Sequence, residues 1–251
     1  VIGLDPAATT STELASLAAP SQVTATLHAA APTSAPAPTA SGLVTIVTGA
    51  CPAYLGDACR GGSLPSAEAV SSCASGGDDA PTGDLAVVVA SGGIPEGTIR
   101  IRIEVEQGLA IDGECFAGEV LDILNDARSW GVPFAQVDDE SYDLRLVLAS
   151  PTTTDSLCSP LQTGGIYSCR NGGNVVINLM RWTSGTDEYA KDLTTYRRYL
   201  INHEVGHFLG RGHLPCPGVG NPAPVMMQQT KGLGQCTPNG WPTESEHATR
   251  N

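Results

Sequence analysis

The chain has 251 residues, 41% of them hydrophobic, which is enough for one sizeable domain with a smaller extension. Its formal net charge of −13 argues against nucleic acid and against an anionic membrane surface as partners. Eight cysteines, few lysines and no CxxC pair fit disulfides in an oxidising location better than metal sites in a reducing one.

Residues 1–42 are rich in alanine, threonine, serine and proline and read as a linker or extended arm. Residues 43–96 hold two β-prone runs, LVTIVTG and LAVVVASGG, with Cys51, Cys59 and Cys73 between them, and read as a small disulfide-containing extension. Neither a charged-then-apolar leader nor an apolar run of transmembrane length is present, and the sequence begins at Val1. Those features fit a secreted or cell-surface protein read without its signal peptide.

From about residue 97 the pattern becomes regular and marks a domain over 97–251. TIRIRIEVE alternates apolar and polar residues, as a half-buried strand does. CFAGEVLDILNDARSW carries Phe116, Val120, Leu121, Ile123 and Leu124 at helical spacing. FAQVD and DLRLVLAS read as strands, with the acidic run Asp138, Asp139 and Glu140 between them as a solvated loop. GIYSC and NVVINLM read as two more strands, joined by Arg170, Asn171, Gly172 and Gly173 in a hairpin. DLTTYRRYLINHEVGHFLG reads as a long helix with Asp192 as N-cap and Gly210 as its end. Arg197 and Arg198 are assigned on this helix to solubility. The fold class is therefore α/β (α+β), with a mixed sheet whose hairpin leaves an antiparallel strand at one edge. Residues 211–251 lack periodicity and form an irregular lobe.

Three of the five histidines fall in HEVGHFLGRGH. His203 and His207 sit one helical turn apart, about 6 Å along the axis, so both rings share a face and can reach one zinc ion. Glu204 follows the first ligand directly, where a general base for an activated water belongs. Gly210 permits the chain to turn back, and His213 then supplies the third ligand, leaving one catalytic Zn2+ an open fourth position. Gly206 keeps the helix face between the ligands clear for close packing. His28 and His247, toward the chain ends, are assigned no role.

This stretch resembles the extended HExxHxxGxxH motif of the metzincin metalloproteases. Residues 97 onward also resemble an uncharacterised secreted actinobacterial domain family, in YRRYLINHEVGHFLGRGH, PAPVMMQQT and PNGWP. The metzincin resemblance implies an upper lobe with a twisted sheet, a backing helix and an active-site helix, then a lower lobe with a methionine turn. Met226 is the better candidate for that turn and Met227 the other; ordinary core packing is the plainer explanation for either. It also implies that GIYSC is the edge strand that holds an extended peptide. Only twelve residues separate His213 from Met226, and no tyrosine closely follows the methionine.

Cys216 and Cys236 bracket the methionine turn and pair naturally, as do Cys158 and Cys169 before the edge strand. Cys51, Cys59, Cys73 and Cys115 leave three pairings open. The expected function is a secreted zinc endopeptidase acting on a peptide or protein through a zinc-activated water, with Glu204 as base. The rivals are a non-catalytic, zinc-stabilised surface or assembly protein and a zinc hydrolase of cell-wall peptide amides. Oligomeric state is not legible.

Overall fold

A computed structural model describes residues 69–248. The arm assigned to 1–42, the run LVTIVTG, His28, Cys51 and Cys59 lie outside the described residues. The architecture is α+β, built on a mixed six-stranded sheet with several helices.

β1 (Leu85–Val87), β2 (Ile99–Glu106), β3 (Phe134–Val137), β4 (Leu144–Ala149), β5 (Cys169–Asn171) and β6 (Asn174–Asn178) make the sheet. The main path runs β1, β2, β4, β6, β5, and β3 pairs with the first half of β2. β2, β3, β4 and β6 all run parallel to one another, while β1 and β5 are antiparallel caps at the two ends. The antiparallel edge read from the hairpin is present, with Asn171 opposite Asn174 across Gly172 and Gly173. Gly172 has φ +61, the left-handed conformation that such a tight turn requires.

Alternation in β2 sends Ile101, Ile103 and Val105 to one face. There they meet Leu144, Leu146, Leu148, Val175 and Ile177 of the neighbouring strands. Two helices cover this face. α1 (Gly113–Asn125) contributes Phe116, Val120, Ile123 and Leu124, and α4 (Leu193–Phe208) contributes Tyr196, Tyr199, Leu200 and Val205. Asp112 caps α1 and Asp192 caps α4, each accepting a backbone N–H in the first turn.

The other face is mostly polar. Arg145 grips the buried Glu104 with two nitrogens at 2.8 and 2.5 Å, and Arg102 approaches the same carboxylate at 2.9 Å. Glu140 pairs with Arg102, and Asp138 accepts from the Ala90 N–H, so the acidic run is tied down at both ends. A patch of Val147, Ala149 and Val176 is covered by α2 (Pro151–Cys158).

Four readings of the sequence change. GIYSC is not a strand: Gly164 and Gly165 both take positive φ in a turn, and the edge strand begins only at Cys169. NVVINLM does not stay extended, because Asn178 caps α3 (Leu179–Ser184) with its side chain. Arg197 is buried, donating to the carbonyls of Trp182 and Val70 at 2.8 Å, so it is a packing tie and not a solubility residue. The described part of the 43–96 segment is also continuous with the sheet. β1 pairs with β2, Val70 and Val88 enter the main core, and Cys73 is bonded to Cys115 of α1.

Cys158–Cys169 and Cys216–Cys236 form as the spacing suggests. Among the described residues no cysteine is free, so none there offers a thiol to a metal. Three disulfides agree with an extracytoplasmic location. No helix among the described residues is long and apolar enough to cross a membrane.

Candidate metal centre

α4 ends where the chemistry needs it to. Leu209 closes the helix, Gly210 turns left-handed at φ +82, and its N–H donates to the His207 carbonyl at 3.1 Å. The next N–H, of Arg211, reaches back to the Gly206 carbonyl at 2.9 Å, completing a Schellman-type stop. The chain therefore reverses and brings His213 back against the helix. The Nε2 atoms of His207 and His213 lie 3.1 Å apart, and one ligand atom from each of the three histidines falls within 4.8 Å of the others.

Two of the rings are fixed from behind. His203 donates Nδ1–H to the Val225 carbonyl at 2.7 Å, and His207 donates Nδ1–H to the Arg211 carbonyl at 2.8 Å. Both bonds leave Nε2 unprotonated and facing the cluster, the tautomer a metal requires. Nitrogens about 2.0–2.1 Å from a tetrahedral zinc sit about 3.3 Å from one another, close to the His207–His213 spacing. Burial is the main cause that holds the His203 pKa down, at about 3, opposed by the Val225 carbonyl and reinforced by the two neighbouring rings. His207 and His213 are lowered for the same leading reason. The donor set suits a zinc ion.

Glu204 is 6% exposed. Burial raises its carboxyl to about 8, and no hydrogen bond or ion pair within the described residues offsets that penalty. Its side chain lines a cleft of about 540 Å³ together with the three histidines. Tyr199, one turn before His203 on α4, leans over that ring at 5.2 Å between centroids.

The lower wall is the segment after His213. Leu214 donates its N–H to the Met226 carbonyl at 3.1 Å, so the short connection folds directly back under the end of α4. Met226 is 1% exposed. A Cβ on Gly206 would stand 2.4 Å from its sulfur and 2.7 Å from the Trp130 ring, which explains glycine between the two helical ligands. Met227 is only partly buried, in keeping with Met226 as the residue beneath the site.

The segment is held in turn by Glu246 of α5 (Glu244–Ala248), which is 2% exposed. Its carboxylate accepts the N–H groups of Val225 at 3.0 Å, Met226 at 2.7 Å and Thr243 at 2.7 Å. Glu246 thus fixes the peptide whose carbonyl orients His203. A further tie comes from the NGW stretch: Asn202 donates to the Gly240 carbonyl at 3.0 Å. His247 lies beside Trp130 and is not part of the histidine cluster. Glu246 and the cleft residues Arg170, Tyr167 and Lys231 carry no local signal in the sequence, because long-range packing brings each to the site, whereas Tyr199 follows from its place one turn before His203 on α4.

A family model described as "Protein of unknown function (DUF3152)" matches residues 82–242. The chain belongs to the DUF3152 family. The matched span of this DUF3152 member runs from just before β1 through the histidine cluster and Met226 to Pro242, four residues short of Glu246. No curated protein and no solved structure matches the chain.

Proposed function

We propose that this protein is a secreted zinc-dependent endopeptidase of metzincin type. One observation carries the reading: a three-imidazole ligand set and a buried glutamate, unpartnered among the described residues, lie on the same cleft. A purely structural ion has no use for such a carboxylate. When bound, zinc supplies Lewis-acid polarisation of a carbonyl and of a water molecule.

His203, His207 and His213 would hold the ion. Two of them are pre-oriented by carbonyls, so little is left to organise on binding. Glu204 takes a proton from the attacking water and hands it to the leaving amine. Burial suits it to that task, because a carboxyl that favours its protonated form is the stronger base when ionised. Among the described residues β5 pairs only with β6, which leaves its other edge able to receive an extended peptide as an added strand.

The test is cleavage of a mixed peptide library by the zinc-loaded protein beside its Glu204→Ala variant, read by mass spectrometry. The variant is expected to keep zinc and to lose cleavage by about 10²–10⁴-fold or more. Zinc bound by both proteins with no product from either would remove the peptidase reading. The non-catalytic surface protein and the hydrolase of cell-wall peptide amides would then lead, and cross-linked cell-wall peptide as substrate separates those two.

A further inference from the structure

We propose that the cleft selects peptides bearing a carboxylate close to the bond to be cut, held by Arg170 and Lys231. The inference rests on the reading of the cleft as a peptide site. Over the whole chain acidic residues outnumber basic ones two to one, 26 to 13. The cleft reverses that balance. Among the described residues Glu204 is the one acid that lines it, whereas Arg170, Arg211 and Lys231 all line it.

Other arginines on the sheet and its surroundings are spoken for. Arg100, Arg102, Arg128 and Arg145 pair with carboxylates, and Arg181 and Arg197 donate to backbone carbonyls. Arg170 and Lys231 have no carboxylate partner among the described residues. Both side chains are exposed within the cleft. They come from different segments: Arg170 from the free-edged strand β5, Lys231 from the single turn Gln229–Lys231 that follows Met226. Both line the same cleft as His207 and His213, so they face the ligand cluster across one space. Lys231 also rests against the Tyr167 ring, 5.3 Å from its centroid, which holds the ammonium at the cleft wall.

A peptide lying along β5 passes beside the Arg170 guanidinium, and its neighbouring side chains or its terminus come within reach of Lys231. Screening confines charge effects to about 8 Å at physiological ionic strength, so these two local cations outweigh the more distant negative field. Arg170 suits a carboxylate because its planar fork meets both oxygens at once.

The test uses matched peptides: internal Asp or Glu with an amidated end, neutral with a free C-terminal carboxylate, neutral with an amidated end, and basic. Binding to the zinc-loaded Glu204→Gln protein is read by fluorescence anisotropy, and cleavage of the same set by the unsubstituted protein is read in parallel. Carboxylate-bearing peptides are expected to bind about tenfold tighter per cation engaged than neutral ones. The first two sets tell a side-chain carboxylate from a terminal one. Arg170→Gln with Lys231→Gln is expected to erase the preference, and Arg170→Glu with Lys231→Glu to turn it toward basic peptides, with zinc content and melting temperature checked for each. Equal binding of acidic and neutral peptides, or a preference that survives the double glutamine variant, overturns the inference. Neutral and acidic peptides cut alike would also overturn it and leave the peptidase reading intact. Tight binding of acidic peptides with no cleavage would support it and remove the peptidase reading.

Discussion

Gly206 shows how tightly a single position is constrained here. The residue has an ordinary helical environment in sequence terms, yet its missing side chain is the space that Met226 and Trp130 occupy. Neither neighbour can give way easily, since Met226 is 1% and Trp130 3% exposed. Gly206→Ala is therefore expected to destabilise the fold by about 1–3 kcal/mol through overpacking, despite the better helix propensity of alanine. Zinc affinity should fall with it, because the displaced Met226 peptide adjoins the carbonyl that holds His203. Chemical denaturation and a zinc competition titration measure the two effects. Glu246 is the complementary case. Glu246→Ala strands three buried or half-buried N–H groups and is expected to cost about 3 kcal/mol. Glu246→Gln keeps an acceptor oxygen and should recover part of both stability and zinc affinity. Unchanged zinc affinity in both variants would show that the turn holds its shape without this carboxylate.

Elements with a strong period were legible before the structure; elements made by capping were not. β2, α1, β3, β4 and α4 each announce themselves by apolar spacing. α2 does not, because PTTTDSLC buries little beyond Thr154 and Cys158. Its start is instead written in Ser150, whose side chain caps it, and in Pro151 at its first position. The histidine cluster was legible because its three ligands are local in sequence, whereas the cations and Glu246 arrive from separate elements. Glu106, at the end of β2, joins two such elements. Its carboxylate accepts the Ser150 N–H at 2.7 Å, the Thr153 hydroxyl at 2.8 Å and the Gly83 N–H at 2.9 Å. Burial pushes its pKa up, but these hydrogen bonds, led by Ser150, outweigh it and leave the group below its usual 4.5. Folding then binds fewer protons than the unfolded chain as pH falls through that value. The contribution of Glu106 is full above about pH 4.5 and is lost progressively below it. Parent and Glu106→Gln unfolding curves are expected to differ most near neutral pH and to converge in acid. A gap that stays constant from neutral pH down to pH 3 would contradict this assignment.

At the scale of the whole described domain, three disulfides among the described residues divide the labour of holding the cleft. Cys73–Cys115 fastens the segment before β1 to the first turn of α1, and neither residue lines the cleft. Cys158–Cys169 fixes the root of β5, and Cys216–Cys236 closes the lower wall around Met226. Their loops span 42, 11 and 20 residues, and chain entropy alone gives each about 3–4 kcal/mol. Stability therefore distinguishes them poorly, while metal affinity should distinguish them well. Paired serine substitutions at Cys216 and Cys236 are expected to lower both stability and zinc affinity, because the freed segment carries the Val225 carbonyl behind His203. The same change at Cys73 and Cys115 should lower stability by a similar amount and leave zinc affinity close to that of the parent. Zinc titrations at a temperature where every variant remains folded separate local loosening from global unfolding. Equal losses of zinc affinity in the two variants would mean that the walls and the distant anchor behave as one cooperative body, and the lower wall would lose its special standing as support for the site.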